Sequence, residues 1–116
     1  MILFGARLPP GAGRDEPDVS RTEILTRLDA LADDHRLRIL RMAADAGGVR
    51  ATDVMAALDI SQSAASRSLT QLTATGYLVE SRRDGGKWYS INTERIGDTL
   101  GALARFFGVN GKEGSE

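Results

Sequence analysis

Residues 60–92, ISQSAASRSLTQLTATGYLVESRRDGGKWYSIN, leave this chain few choices of fold. Ser61 can cap a helix. Ala65, Leu69 and Leu72 then recur at i, i+4 and i+7 as a buried stripe. Gly76 supplies the left-handed residue that ends such a helix. Beyond it, Tyr77–Arg83 and Lys87–Asn92 are rich in strand formers and flank Asp84-Gly85-Gly86, a sharp hairpin signal. The other side of the helix carries Gln62, Ser63, Ser66, Arg67 and Thr70. Exposed helices ordinarily carry Glu and Lys, which favour helix and solubility. A face of Ser, Gln and Thr gives up that propensity, which points to a surface selected for something other than solvation.

A DNA groove is what such a surface fits. Small residues at the start of the helix, Ser61, Gln62, Ser63 and Ala64, let the backbone come close. Gln62 can make paired contacts to adenine, and Arg67 can make two hydrogen bonds to guanine. Ser63, Ser66 and Thr70 can reach bases or phosphates, and the helix N-terminus favours a phosphate. On the hairpin, Arg82, Arg83 and Lys87 surround a glycine tip and suit the flanking phosphates. Taken alone, the hairpin reads equally as an ordinary charged hairpin, and the helix as a solvated one. Their adjacency favours a winged helix-turn-helix that binds double-stranded DNA. Trp88 and Tyr89 alternate across the second strand; core packing is the default for each, and the residues do not say which is buried.

The preceding residues supply three more helices. Ser20 and Glu23 make a capping box, with Val19 and Ile24 placed as its hydrophobic staple. Ile24, Leu25, Leu28 and Leu31 follow as an apolar face. Asp33 can cap a second helix with Leu37, Leu40 and Ala44 inward and Arg36, Arg38 and Arg41 projecting elsewhere; Gly47 and Gly48 end it. A third runs from Arg50 to Leu58 with Val54 and Leu58 inward, and Ile60 plugs the core after the turn. After the hairpin, Asn92 or Thr93 caps a last helix with Ile96, Leu100, Leu103 and Phe107 on one stripe and Phe106 beside it. Gly97 and Gly101 weaken that helix by about 1 kcal/mol each relative to Ala, so it needs a packing partner.

The expectation is a mainly α domain with a small β-hairpin, four helices, two strands and a fifth helix in that order, spanning residues 19–109. Residues 1–18 hold all three prolines and read as a linker or the tail of an upstream region, which would make this the C-terminal piece of a longer protein. Residues 110–116 read as a flexible tail. A chain of 116 residues suits one domain and a single core. Net charge is −1, unlike many DNA-binding domains. Between Ser61 and Asn92, however, four basic residues stand against two acidic ones, and phosphate contacts are local. The absence of cysteine excludes disulfides and thiolate metal sites within these residues and fits a cytoplasmic setting. No apolar run approaches a membrane span, so no membrane partner is expected.

The run Asp33–Leu40, DDHRLRIL, resembles the D-x-x-R-L-x-I-L pattern of the ArsR/SmtB family of bacterial regulators. Ile60–Gly76 resembles that family's recognition helix, and RRDGGKWYSIN its wing. The resemblance covers residues 20–108 and implies a homodimeric repressor that occupies an operator. It also implies a dimer interface built from the first and last helices, here Leu25, Leu28, Leu31, Leu100, Leu103, Phe106 and Phe107, some of which could equally be intramolecular core. Metal-sensing members carry cysteines on the third helix or His and carboxylate clusters on the last. Here the third reads RATDVMAAL, and the last offers Glu94 and Asp98 without histidine. His35, beside Asp33 and Asp34, is the only histidine, and neighbours on a helix point in different directions. No metal or cofactor is expected, and the effector stays unknown.

Other classes fit less well. No Ser/His/Asp set, metal-ligand cluster or phosphate-binding glycine loop supports an enzyme; Gly11-Ala12-Gly13 is too short and follows no strand. A winged helix used for protein contacts leaves the basic field unexplained. Another DNA-binding winged-helix family, such as the MarR type, is the remaining alternative, though those chains are usually longer, with long terminal dimerisation helices.

Overall fold

The computed structural model describes residues 19–109, in the order α1 (Arg21–Leu31), α2 (Asp34–Ala46), α3 (Ala51–Leu58), α4 (Gln62–Ala74), β1 (Leu78–Arg83), β2 (Gly86–Ile91) and α5 (Thr93–Phe106). The readings of residues 1–18 and 110–116 lie outside the described residues. Four helices begin where a side chain satisfies an otherwise free backbone N–H. Ser20 Oγ accepts from Glu23 N at 3.0 Å, Asp33 Oδ2 from Arg36 N at 3.0 Å, Ser61 Oγ from Ala64 N at 3.1 Å and Asn92 Oδ1 from Arg95 N at 3.2 Å. α3 uses the reverse contact: Arg50 N donates to Asp53 Oδ2 at 2.8 Å.

The core sits between α2, α3, α4 and the hairpin. Ile39, Leu40 and Ala43 of α2 meet Val54 and Leu58 of α3, Ala65, Leu69 and Leu72 of α4, and Tyr77, Leu78 and Tyr89. Ile60 packs against this cluster from the α3–α4 turn, where Asp59 takes a left-handed conformation with φ 55°. The stripes expected for α3 and α4 are the ones buried.

The phases of three other helices differ from the sequence reading. In α1, Ile24 and Ala30 are buried while Leu25 is exposed. In α2, Leu37 and Ala44 lie on the surface, and the inner face is Ile39, Leu40 and Ala43. This helix is apolar at so many positions that two overlapping stripes exist, and contact with α4 and β2 selects the second. In α5 the buried pair is Thr99 and Ala102, with Ile96 half-buried against the core, whereas Leu100 is 61% exposed and Phe107 66%. Leu100, Phe106 and Phe107 of α5 therefore do not fill the core of this chain.

The strands pair antiparallel from Leu78↔Ile91 to Arg83↔Gly86. Asp84 and Gly85 form the tip with φ 47° and 80°. Two successive positive φ values define the type I′ turn, whose twist matches that of a hairpin. The loop is thus two residues, and Gly86 belongs to β2. A third element extends this sheet: Val49 and Tyr89 exchange both backbone bonds, at 2.9 and 2.8 Å. Asn92 secures the other end, its backbone N–H donating to Tyr77 O at 2.8 Å and its Nδ2 to Gly76 O at 3.0 Å.

Tyr77 ties the outer helices to this unit. Its side chain is fully buried. The hydroxyl donates to the Arg27 carbonyl of α1 at 3.1 Å and lies 2.9 Å from Thr99 Oγ1 of α5.

Candidate nucleic-acid interface

α3 and α4 form a helix-turn-helix, and the burial of Ala65, Leu69 and Leu72 fixes which way α4 faces. With that stripe inward, Ser61, Gln62, Ser63, Ser66, Arg67 and Thr70 are all exposed. No ion pair among the described residues engages Arg67 or Arg82. Two hollows of about 310 Å³ flank the helix. One, toward the hairpin, is lined by Arg50, Thr52, Gln62, Ser66, Lys87 and Tyr89. The other, toward the start of α2, is lined by Asp33, His35, Arg36, Arg67, Ser68 and Gln71. Gln62 and Ser66 thus share a hollow with the hairpin lysine, while Arg67 borders the opposite flank.

The hairpin divides its basic residues in the same manner. Side chains alternate across a strand, and the register Arg82↔Lys87 and Arg83↔Gly86 settles the faces. Arg82, Lys87 and Tyr89 share the side turned toward α4. Lys87 Nζ lies 3.8 Å from Glu80 Oε2 on that side, a half-exposed pair whose contribution is small. Arg83 and Trp88 share the reverse side, with the Arg83 guanidinium 4.5 Å from the indole centroid. The three basic residues expected to act together are therefore split: Arg82 and Lys87 join the α4 surface and Arg83 stacks behind it. Period-two alternation in the sequence held that signal, since adjacent Arg82 and Arg83 cannot share a face.

Tyr89 is the buried member of the aromatic pair, and Trp88 is half-buried. Burial, and secondarily the neighbouring Glu80 carboxylate, push the Tyr89 phenol above its ordinary pKa. Trp88 lies so close to Gly48 that a Cβ there would sit 2.4 Å from the indole, and Gly48 also holds φ +145°. Glycine is required on both counts.

Two arginines important to this surface carry no local sequence signal. Arg36, expected to project outward, folds back: Nε donates to Ala30 O at 2.6 Å, Nη2 to Asp29 O at 3.1 Å and Nη1 to Gln71 Oε1 at 3.1 Å. It neutralises carbonyls at the end of α1 and fastens them to α4. Arg50 reaches the hairpin. Among the described residues no group of three His, Cys, Asp or Glu could hold a metal ion, and no helix is long and apolar enough to cross a membrane.

A profile of the MarR family matches residues 33–86, from the α2 cap through the tip of the hairpin. A protein of Halobacterium salinarum named as an arsenical resistance operon repressor, ArsR, is 40% identical over 74 residues, which are 63% of this chain and 56% of that protein. The chain thus spans little more than half the length of this relative. Among solved structures, an ArsR-like transcriptional regulator from Rhodococcus sp. RHA1 superposes with a TM-score of 0.68 at 23% identity, covering 75% of this chain and 81% of the other. NolR from Sinorhizobium fredii superposes at 0.59 with 26% identity, covering 90% of this chain and all of NolR.

Proposed function

We propose that this winged helix-turn-helix, similar to ArsR-type regulators, is a sequence-specific, double-stranded DNA-binding transcriptional regulator acting as a homodimeric repressor. The observation that carries the reading is the outward face of α4. Gln62, Ser63, Ser66, Arg67 and Thr70 are exposed, no ion pair among the described residues engages Arg67, and Gln62 and Ser66 share a hollow with Lys87 of the hairpin. A helix N-terminus bearing small polar side chains enters a major groove, where Gln62 and Arg67 read base edges and the hydroxyls position the backbone. Arg82 and Lys87 then meet phosphates beside the groove. A protein-contact role gives no use to Arg67 and Arg82, which no ion pair among the described residues engages; phosphate does.

Leu25, Leu28, Leu100, Leu103, Phe106 and Phe107 supply the dimer interface in this reading. Leu25, Leu100, Phe106 and Phe107 are exposed, Phe106 and Phe107 meet edge to face at 5.6 Å, and Leu28 and Leu103 are half-buried beside them. Leu31, included with them on sequence, is half-buried against the core and contributes mainly there. A two-fold axis through α1 and α5 sets two copies of α4 in successive major grooves, about 34 Å apart, on a pseudo-palindromic operator. Such a regulator works in the cytoplasm, and no catalytic role is proposed. The arsenical role named for the archaeal relative is not carried over, because these 116 residues include no cysteine to bind arsenic.

The test is to incubate the protein with fragmented genomic DNA and sequence what is retained. Enrichment of a pseudo-palindrome with half-sites about 10 base pairs apart is the expected result. Retention without any shared sequence rejects the regulator reading.

A further inference from the structure

Arg50 carries no role in the DNA contact described so far, yet it joins the two parts that make that contact. Its backbone N–H anchors the start of α3 on Asp53. Its side chain crosses to the hairpin, where Nη2 donates to the Arg83 carbonyl at 3.1 Å and lies 3.6 Å from Asp84 Oδ2 at the tip. The guanidinium also lies 5.8 Å from the Trp88 ring centroid. Gly86 leaves room for it: a Cβ there would stand 2.7 Å from Arg50 Nη1. One planar cation thus holds a carbonyl, a carboxylate and an aromatic face on the same hairpin. Both polar contacts come from one nitrogen, Nη2, so what lysine cannot reproduce is the planar guanidinium laid against the Trp88 ring while that nitrogen holds the tip.

We infer that Arg50 is a positioning residue for the wing, setting the height of Arg82 and Lys87 relative to the exposed face of α4. This rests on the DNA-binding reading above. The Val49–Tyr89 pairing fixes the base of the hairpin, but the six-residue strands extend well beyond it. Arg50 is the described residue outside the hairpin that reaches its tip through a hydrogen bond and an ion pair together. Without it, the basic side chains keep their charge but lose their address.

The experiment uses the full chain and a duplex recovered by the wild-type protein from a random-sequence pool. Hydroxyl-radical footprints and affinities are measured for wild type, Arg50→Lys and Arg50→Ala, with thermal melts of each. Trp88 is the only tryptophan, so its emission reports the stack directly. The expected result is selective loss of protection at the flanks of the site, with protection under α4 retained. Affinity falls about tenfold, the scale of one charge-assisted hydrogen bond, for Lys as well as Ala, with a changed Trp88 emission and a melt lowered by no more than the loss of that one contact accounts for. Rescue by Lys means that Arg50 only supplies charge to a phosphate and overturns the inference. Uniform loss across the footprint together with a melt lowered further than that one contact accounts for means a general structural role and overturns it equally. If the pool yields no preferred duplex, the DNA-binding reading itself fails and takes this inference with it.

Discussion

Replacing Tyr77 by Phe removes one oxygen atom from the centre of the domain, and the structure says what that atom holds. Its hydroxyl donates to the Arg27 carbonyl and meets the Thr99 hydroxyl at 2.9 Å, in a layer where Tyr77 and Thr99 are both inaccessible to solvent. A neutral hydrogen bond contributes about 0.5–1.5 kcal/mol net, and a buried group left without its partner costs about 1–3 kcal/mol. The two lost bonds do not weigh equally. The Arg27 carbonyl lies within α1 and keeps its helical donor, whereas Thr99 loses a partner in a dry layer. Tyr77→Phe should therefore destabilise the protein by about 1–2 kcal/mol, lowering Tm by roughly 4–8 °C per kcal/mol for a domain of this size.

The sharper measurement is a double-mutant cycle in urea. Thr99→Val keeps the shape and removes the other hydroxyl. If the two groups are bonded, Tyr77→Phe with Thr99→Val should cost less than the sum of the single changes, because the double variant leaves neither oxygen behind. Additivity within about 0.3 kcal/mol would refute the bond and, with it, the idea that Tyr77 links α1 and α5 to the end of α4. Tyr77 directly follows Gly76, the residue that closes the reading helix. The same variants should therefore also weaken DNA binding modestly without altering the preferred sequence.

Other outcomes follow from the surface. Arg67→Ala should cost about 1–3 kcal/mol in DNA affinity and relax base preference at one position of each half-site, read by selecting duplexes with the variant; equal weakening on every sequence would remove its base contact. Leu100→Asp places a charge on a residue already exposed in the subunit, so the melt of the monomer should hold while sedimentation shows dimer affinity weakened by about thirtyfold or more, the equivalent of about 2 kcal/mol; an unchanged dimer would move the interface elsewhere. Tyr89 titrates above its ordinary value, first through burial and then through Glu80. The unfolded chain ionises first, so this contribution to stability is complete below about pH 10 and lost as pH rises through and beyond it. Tyr89→Phe should flatten that alkaline decline in urea midpoints, and an identical decline in the variant would contradict the assignment.

How much was legible in the sequence depended on how many stripes a helix offers. α4 has three large or well-spaced apolar positions, Ala65, Leu69 and Leu72, so its phase, and with it the outward face, could be read directly. α2 offers Leu37, Ile39, Leu40, Met42, Ala43 and Ala44, and periodicity alone cannot decide among overlapping choices. α5 misleads for a different reason. Its stripe of Leu100, Leu103 and Phe107 is real, but periodicity marks a surface that avoids water, not the body that covers it. The subunit's own core takes the smaller Thr99 and Ala102. Arg50 was opaque because its partners, Arg83 and Asp84, are distant in sequence, and Arg36 because it folds back on carbonyls of the preceding helix and on the distant Gln71, which no periodicity marks.

The two-way backbone exchange between Val49 and Tyr89 has a mechanical result. It makes the residues just before α3 a third rail of the hairpin sheet, so the base of the wing cannot swing as a flap without breaking paired main-chain bonds. In the proposed DNA complex, α4 and the arm beside it would therefore meet a duplex as a single rigid tool.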